Sequence, residues 1–376
     1  MAARWESYLK QWVSEGLIEA SAAERVRAYE TEQDKARGLG WPVLLAIALG
    51  GLLLGAGVLL FVAAHWDTLS PSLRFGLVLA LVAFFHVTGA LAAERFSALS
   101  TTLHAVGTIC LGAGIFLAAQ IFNLQEHWPG GLMLWAAGGW IAWALLRGWP
   151  QAALVALLTP MWLSGEWVEA TRGWVVGGKI LAEGLLLLSI SYMTALLPEK
   201  ETSVRKALMW IGGLALIPLA AVVPSFPSSA PWQQVALPEN YRLLGWSAAF
   251  IFPLILACWL RRSAVWMNLI AAVWVVTLGA VNHSFGARQN LLPYAMWALG
   301  SLGLVAWGLK EAREERINLG VAGFALTVLA FYFSTVMDKL ERSASLIGLG
   351  LLFLLGGWLL EKTRRRLVAR LEKGRA

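Results

Sequence analysis

Charge is scarce in this chain. Only 14% of its 376 residues are Asp, Glu, Lys or Arg, against 58% hydrophobic, whereas a soluble domain carries about a quarter charged residues. The shortage excludes a single water-soluble core, because too much apolar surface would face water. Cysteine is scarcer still. Cys110 and Cys258 both stand inside apolar runs, which argues against a disulfide framework and leaves two small packing residues. The signatures of compact chemistry are missing too. The five histidines show no paired metal-ligand spacing, and there is no CxxC, HExxH, GxxxxGK[ST] loop or serine nucleophile elbow. No catalytic residue, metal or cofactor is expected, and an enzyme is the weakest of the readings. The net charge of +7 is no nucleic-acid footprint, since its distribution follows the apolar runs.

Those runs are what the chain has in abundance. About twenty apolar residues cross a bilayer as a helix, at roughly 1.5 Å each. Twelve stretches qualify: 42–64, 75–93, 103–122, 131–147, 151–167, 179–197, 207–223, 243–260, 264–281, 291–309, 317–336 and 345–360. The fifth is the least continuous, interrupted by Pro160, Ser164, Gly165 and Glu166. The expectation is an all-α polytopic transmembrane bundle of about twelve spans over residues 41–361. Ten is the alternative, because dropping an adjacent pair preserves the alternation of loops. Lys and Arg favour the cytoplasmic side. With the amino terminus inside, 23 of the 30 fall inside and 7 outside, alternating loop by loop. Both termini are then cytoplasmic, and the polar first forty residues predict that the first span is kept as an anchor. Trp41, Trp66 and Trp128 stand near proposed span ends, where indole prefers the headgroup boundary.

Residues 1–40 read as a cytoplasmic amphipathic helical hairpin. Trp5, Tyr8, Leu9, Trp12 and Val13 share one helical face, Gly16 ends that helix, and Ser21 with Glu24 has the spacing of a capping box. A second helix would then place Ala22, Val26 and Tyr29 on one side. Such a hairpin caps the bundle or docks a membrane or envelope protein partner. The tail 362–376 is basic, and Arg364, Arg365 and Arg366 would sit among anionic headgroups, each cation contributing about 1 kcal/mol.

Polar groups within or beside hydrocarbon are costly and tend to face a bundle interior or a water-filled cavity. In "FVAAHWDTLSP" the first span gives way to His65, Trp66 and Asp67. Gln120 and Asn123 end the third span at similar depth, Glu126 and His127 follow, Glu183 lies about one turn into the sixth, and Asn282 and His283 close the ninth. His65, Asp67, Gln120, Asn123 and Glu183 are therefore candidate ligands of an outward-facing pocket. The competing reading makes them headgroup-level residues, and for His65, Trp66 and Asp67 it is the stronger. His86 reads as a buried imidazole bonded to a neighbouring helix, with a proton relay second; His104 reads as interfacial. Pro160, Pro218 and Pro253 lie inside spans and are expected to kink them.

"WVSEGLIEAS", then "GGLLLGAGVLLFVAAHWDTLS", then "GTICLGAGIFLAAQIFNLQEHWPGGLMLWA" together resemble a bacterial membrane-protein family known as domain of unknown function 2157, over roughly the first 150 residues. The family usually has Asn where His65 stands here, so a role needing imidazole would not be shared across it. The resemblance implies a bacterial inner-membrane protein and supplies no reaction, substrate or cofactor. Two functions follow as expectations: a carrier or lipid-handling protein with an outward polar cavity, or a non-catalytic scaffold or accessory protein for an envelope complex. Membrane lipids are the expected partners of either.

Overall fold

The computed structural model describes residues 9, 12–36, 46, 49–50, 53, 57, 60, 70–94, 96–121, 127–172, 175–197, 201–225, 237–284 and 291–336, with 347, 348, 350, 358 and 362. The chain forms two compact units, Met1–Ile121 and Phe122–Ala376. In the first lie α1 (Ala20–Ala36), α2 (Pro71–Ala92) and α3 (Ser97–Ile121). In the second lie α4 (Trp128–Leu146), α5 (Trp149–Ala170), α6 (Val175–Met193), α7 (Ser203–Val222), α8 (Glu239–Arg261), α9 (Trp266–Ser284), α10 (Leu292–Lys310) and α11 (Glu314–Phe331). The all-α polytopic bundle expected from hydropathy is the architecture found. Each proposed span between residues 75 and 336 falls on one of α2 to α11, while 42–64 and 345–360 lie largely outside the described residues. Among the described residues eight helices are long and apolar enough to cross a membrane: α2, α3, α4, α6, α7, α8, α10 and α11. Of the other two, α5 is less apolar, and the apolar stretch of α9, Trp266–Val281, is shorter.

Local chemistry sets the helix starts. Proline occupies the first turn of α2, α4, α5 and α10, where its missing N–H costs nothing. Ser70 and Thr202 cap α2 and α7, each accepting a backbone N–H at 3.3 Å. The helix of the fifth stretch, α5, runs unbroken through Pro160, and the weakness expected of it as a span is one of hydropathy. Pro218 and Pro253 likewise lie inside α7 and α8 without ending them. A proline removes one backbone bond, and packed neighbours tolerate that loss within a membrane bundle.

The amino-terminal segment departs from expectation at the cap of its second helix. Gly16 does end the preceding helical turn, at φ +71°, but Ser21 caps nothing. Instead α1 opens at Ala20, two residues earlier than a Ser21 cap would place it, with the Glu19 carbonyl accepting from Ala22 and Ala23 at 3.0 Å each, and the Ser21 hydroxyl donates to the Glu19 carboxylate at 3.4 Å. The face of Val26 and Tyr29 is exposed, whereas Ala23 is buried.

The second unit is built around α6. Fully 72% of its apolar stretch is buried, against 28% or less for any other candidate span. Leu186 and Leu187 of α6 pack with Val275 and Leu278 of α9, all four without solvent exposure. The Tyr192 hydroxyl ties α6 to the Ala156 carbonyl of α5 at 3.0 Å. Indoles tie other neighbours: Trp274 donates to the Met296 carbonyl and Trp297 to that of Ala220, both at 3.0 Å. Several of the 21 tryptophans therefore join helices rather than marking a boundary.

Gly212 of α7 sits directly on the backbone of α6, where an added Cβ would collide with the Ser189 carbonyl oxygen and the Met193 nitrogen. Small residues at such crossings let backbones approach closely. Gly76 of α2 has open space around it. Gly212→Ala should therefore lower the unfolding temperature of the detergent-solubilised protein by several degrees, and Gly76→Ala should leave it unchanged or raise it slightly. Equal effects at the two positions would contradict the close approach of α6 and α7.

Candidate functional site

Lys179 and Glu183 are one helical turn apart near the start of α6, so both side chains project toward the same side. Glu183 is only 2% exposed. The Lys179 ammonium donates to the Gly279 carbonyl of α9 at 2.9 Å and stands 3.8 Å from the Glu183 carboxylate. That separation is close enough for attraction but too long for a hydrogen bond. The carboxylate rests against Gly279, where any Cβ would collide with it. The pair forms part of the wall of a cleft of about 750 Å³, together with Trp246, Ser247 and Phe250 of α8 and Val276 and Ala280 of α9. Volumes of roughly 300–1,000 Å³ are usual for small-ligand sites.

Of the outward pocket expected from sequence, the structure describes two side chains. Glu183 lines this cleft. Gln120 lies at the carboxyl end of α3 in the first unit and is exposed. His65, Trp66, Asp67, Asn123, Glu126, Trp41, Arg364, Arg365 and Arg366 lie outside the described residues, as do the side chains of Asn282 and His283. Trp128 is 51% exposed at the start of α4, and its indole donates to Glu169 at 3.2 Å. His127 bonds Glu166 at 2.9 Å, so the glutamate that weakens the fifth span in sequence ties α5 to the turn before α4. Lys179 was not singled out by sequence as a site residue, because a lone outer cation reads as an interfacial charge. Its signal is the four-residue spacing to Glu183.

The first unit holds a second polar pair. His86 of α2 and His104 of α3 meet Nδ1 to Nδ1 at 3.0 Å, with ring centroids 5.3 Å apart. The interhelical bond expected of His86 is present. His104 is its partner rather than an interfacial residue. Each ring occupies the space of a glycine on the opposite helix. A Cβ at Gly107 would come within 2.9 Å of His86, and one at Gly89 within 3.1 Å of His104. The repeated H-x-x-G of "HVTG" and "HAVG" is the sequence trace of this exchange. Such a bond holds one proton between two nitrogens, so one ring donates and the other accepts.

At the opposite end of α6, roughly 22 Å from Lys179 along the axis, arginines gather from separate elements. Arg261, at the end of α8, donates to the Thr194 carbonyl at 2.7 Å. Arg205, near the start of α7, donates to the carbonyls of Ala195 at 2.6 Å and Leu260 at 3.0 Å. Arg316, near the start of α11, donates to the Leu196 carbonyl at 3.1 Å. The carboxyl end of a helix carries the negative end of its dipole, and here the three successive carbonyls of the turn that follows α6 are each answered by a guanidinium. Arg261 also meets the Glu311 carboxylate at 2.5 Å, Arg316 bonds the same carboxylate, and Trp307 donates to it at 2.6 Å. The Trp307 ring lies beside both guanidinium centres, at 5.1 and 5.4 Å. Arg313 reaches Glu201 at 2.7 Å. These cations enter the sequence reading only as markers of a cytoplasmic side; Arg261, Arg313 and Arg316 are buried. Among the described residues no group of three or more His, Cys, Asp or Glu gathers as metal ligands.

Burial alone would raise the Glu311 carboxyl, but the charge of Arg316 and the bonds from Arg261, Arg316 and Trp307 outweigh it and hold the group below its ordinary 4.5. A carboxyl depressed by folding stabilises the fold above its unfolded value, and that stability is lost as pH falls through the folded value. Unfolding temperature should therefore hold level from neutrality to about pH 5 and fall below that. Glu311→Gln should flatten the acid limb and cost about 3–5 kcal/mol at neutral pH, because it strands two buried cations. An unchanged acid limb in thermal scans of the variant would contradict this assignment.

The family model described as a predicted membrane protein, domain of unknown function 2157, matches residues 10–152. This is the family the sequence resembles, over the stretch in which it does so. The match takes in the His86–His104 pair and stops short of both the cleft and the arginine network. No curated protein and no solved structure matches the chain significantly.

Proposed function

We propose that this multi-pass protein, similar over residues 10–152 to a membrane-protein family of no stated activity, is a carrier in the bacterial inner membrane, with both termini in the cytosol. The observation that supports it is the Lys179–Glu183 pair of α6, a half-buried cation beside a buried carboxylate, which lines a cleft of about 750 Å³. Charges inside a membrane bundle are expensive, and where they occur they tend to mark solute or ion pathways. The two groups stand 3.8 Å apart, too far to hydrogen-bond each other. A lipid-handling form of the same reading draws on two mainly apolar cavities in the second unit, of about 490 and 660 Å³.

The orientation draws on two observations. The sequence assigns 23 of its 30 Lys and Arg to the inner side. In the second unit Arg205, Arg261 and Arg316 converge on one end of α6, while Lys179 belongs to the other.

A deletion strain should show an envelope or uptake phenotype that the wild-type gene restores and Glu183→Gln does not, at equal protein levels in the membrane. Full restoration by Glu183→Gln would end the carrier reading and favour a scaffold. Alkaline phosphatase fused behind Ala376 should be inactive, because it folds only outside the cytosol. High activity there would overturn the orientation.

A further inference from the structure

The charges around the cleft bear on what it holds. Lys179 offers an ammonium with three donors and spends one on the Gly279 carbonyl. Glu183 offers a carboxylate whose nearest cation among the described residues stands 3.8 Å away, beyond hydrogen-bond distance. The two are opposite, adjacent and unbonded to one another, and the site they form has no net charge. A net cation entering would face Lys179, and a net anion would face Glu183; each would bring its desolvation cost into a region of low dielectric. A solute carrying both signs avoids this, its ammonium meeting Glu183 and its oxyanion meeting Lys179. Two aromatic rings complete the wall. Trp246 and Phe250 of α8 stand 5.8 Å apart at an interplanar angle of 41°, and both line the cleft. Such rings attract an ammonium through their faces and exclude water from the charges.

We propose that the cleft binds a zwitterion in which an ammonium and an oxyanion lie a few bonds apart. This rests on the carrier reading and names its solute class. Two sources present that chemistry, a free zwitterion such as glycerophosphoethanolamine, whose phosphodiester carries a single charge, and the headgroup of an aminophospholipid. The cleft forms between helices of a membrane bundle, so either can approach it. Ala280 lies at the cleft and is exposed, so a bulky side chain there blocks entry without touching the ion pair.

The test uses the full chain, purified in detergent and in nanodiscs. Calorimetric titration with glycerophosphoethanolamine should give saturable binding, while ethylamine and inorganic phosphate, each with half of the chemistry, should bind about tenfold more weakly or not at all. Ala280→Trp should abolish binding while leaving the unfolding temperature near the wild-type value. Glu183→Gln should weaken it about tenfold through the lost charge-assisted bond. If the ligand is instead lipid-borne, glycerophosphoethanolamine alone will not bind, and nanodiscs of phosphatidylethanolamine will raise the unfolding temperature above that in phosphatidylcholine, an increase absent from Ala280→Trp. Equal binding of ethylamine or phosphate, or undiminished binding by Ala280→Trp, would overturn the proposal, as would absence of binding in both formats. A Glu183→Gln strain that still failed to recover uptake would then leave the carrier reading standing and remove only the solute class.

Discussion

A helix that ends inside a bundle presents carbonyls that its own backbone cannot satisfy, and α6 ends among other helix ends rather than in open solvent. The carbonyls of Thr194, Ala195 and Leu196, in the turn that leaves α6, would be stranded there without Arg261, Arg205 and Arg316. Each guanidinium arrives from a different helix, so capping α6 also sets how α7, α8 and α11 stand around it. Glu311 then balances two of the cations it meets, and Trp307 lies beside both. The backbone contact at Gly212 and the buried leucines of α6 add area to an arrangement whose register the arginines define.

This network changes the meaning of the positive charges. An excess of Lys and Arg on one side of a membrane is ordinarily an insertion signal, and the alternation in this chain reads that way. Yet Arg261, Arg313 and Arg316 are buried and hydrogen-bonded. The two roles coincide for a physical reason: the carboxyl end of a helix attracts cations, and α6 ends on the side where the sequence places them. A count of cations therefore contains structural information as well as topological.

The polar features divide between the two units. The His86–His104 pair belongs to the part of the chain that matches a family model. The Lys179–Glu183 cleft lies beyond residue 152, so whatever it does cannot be inferred from that similarity. Both are built alike, with a polar side chain fitted into the space that a glycine leaves on the facing helix. In a bundle of apolar helices this is how a large polar group is admitted without forcing the backbones apart.

The apolar runs alone determined that α2 to α11 are helices and where they lie, because a backbone with no water to bond must satisfy itself and hydrophobic length sets the span. They also marked Glu183 as a group needing an explanation, since a carboxylate among apolar neighbours stands out in one dimension. What it meets could not be read the same way. The Gly279 that admits its carboxylate is about a hundred residues along the chain, and so is the carbonyl held by Lys179. His86 and His104 were visible singly but not as a pair, and Arg205, Arg261 and Arg316 looked like solvated charge. Hydropathy reports how each residue regards lipid. Only helix packing decides which residues meet, because an ion pair or a cap is a property of distance and has no period in the sequence.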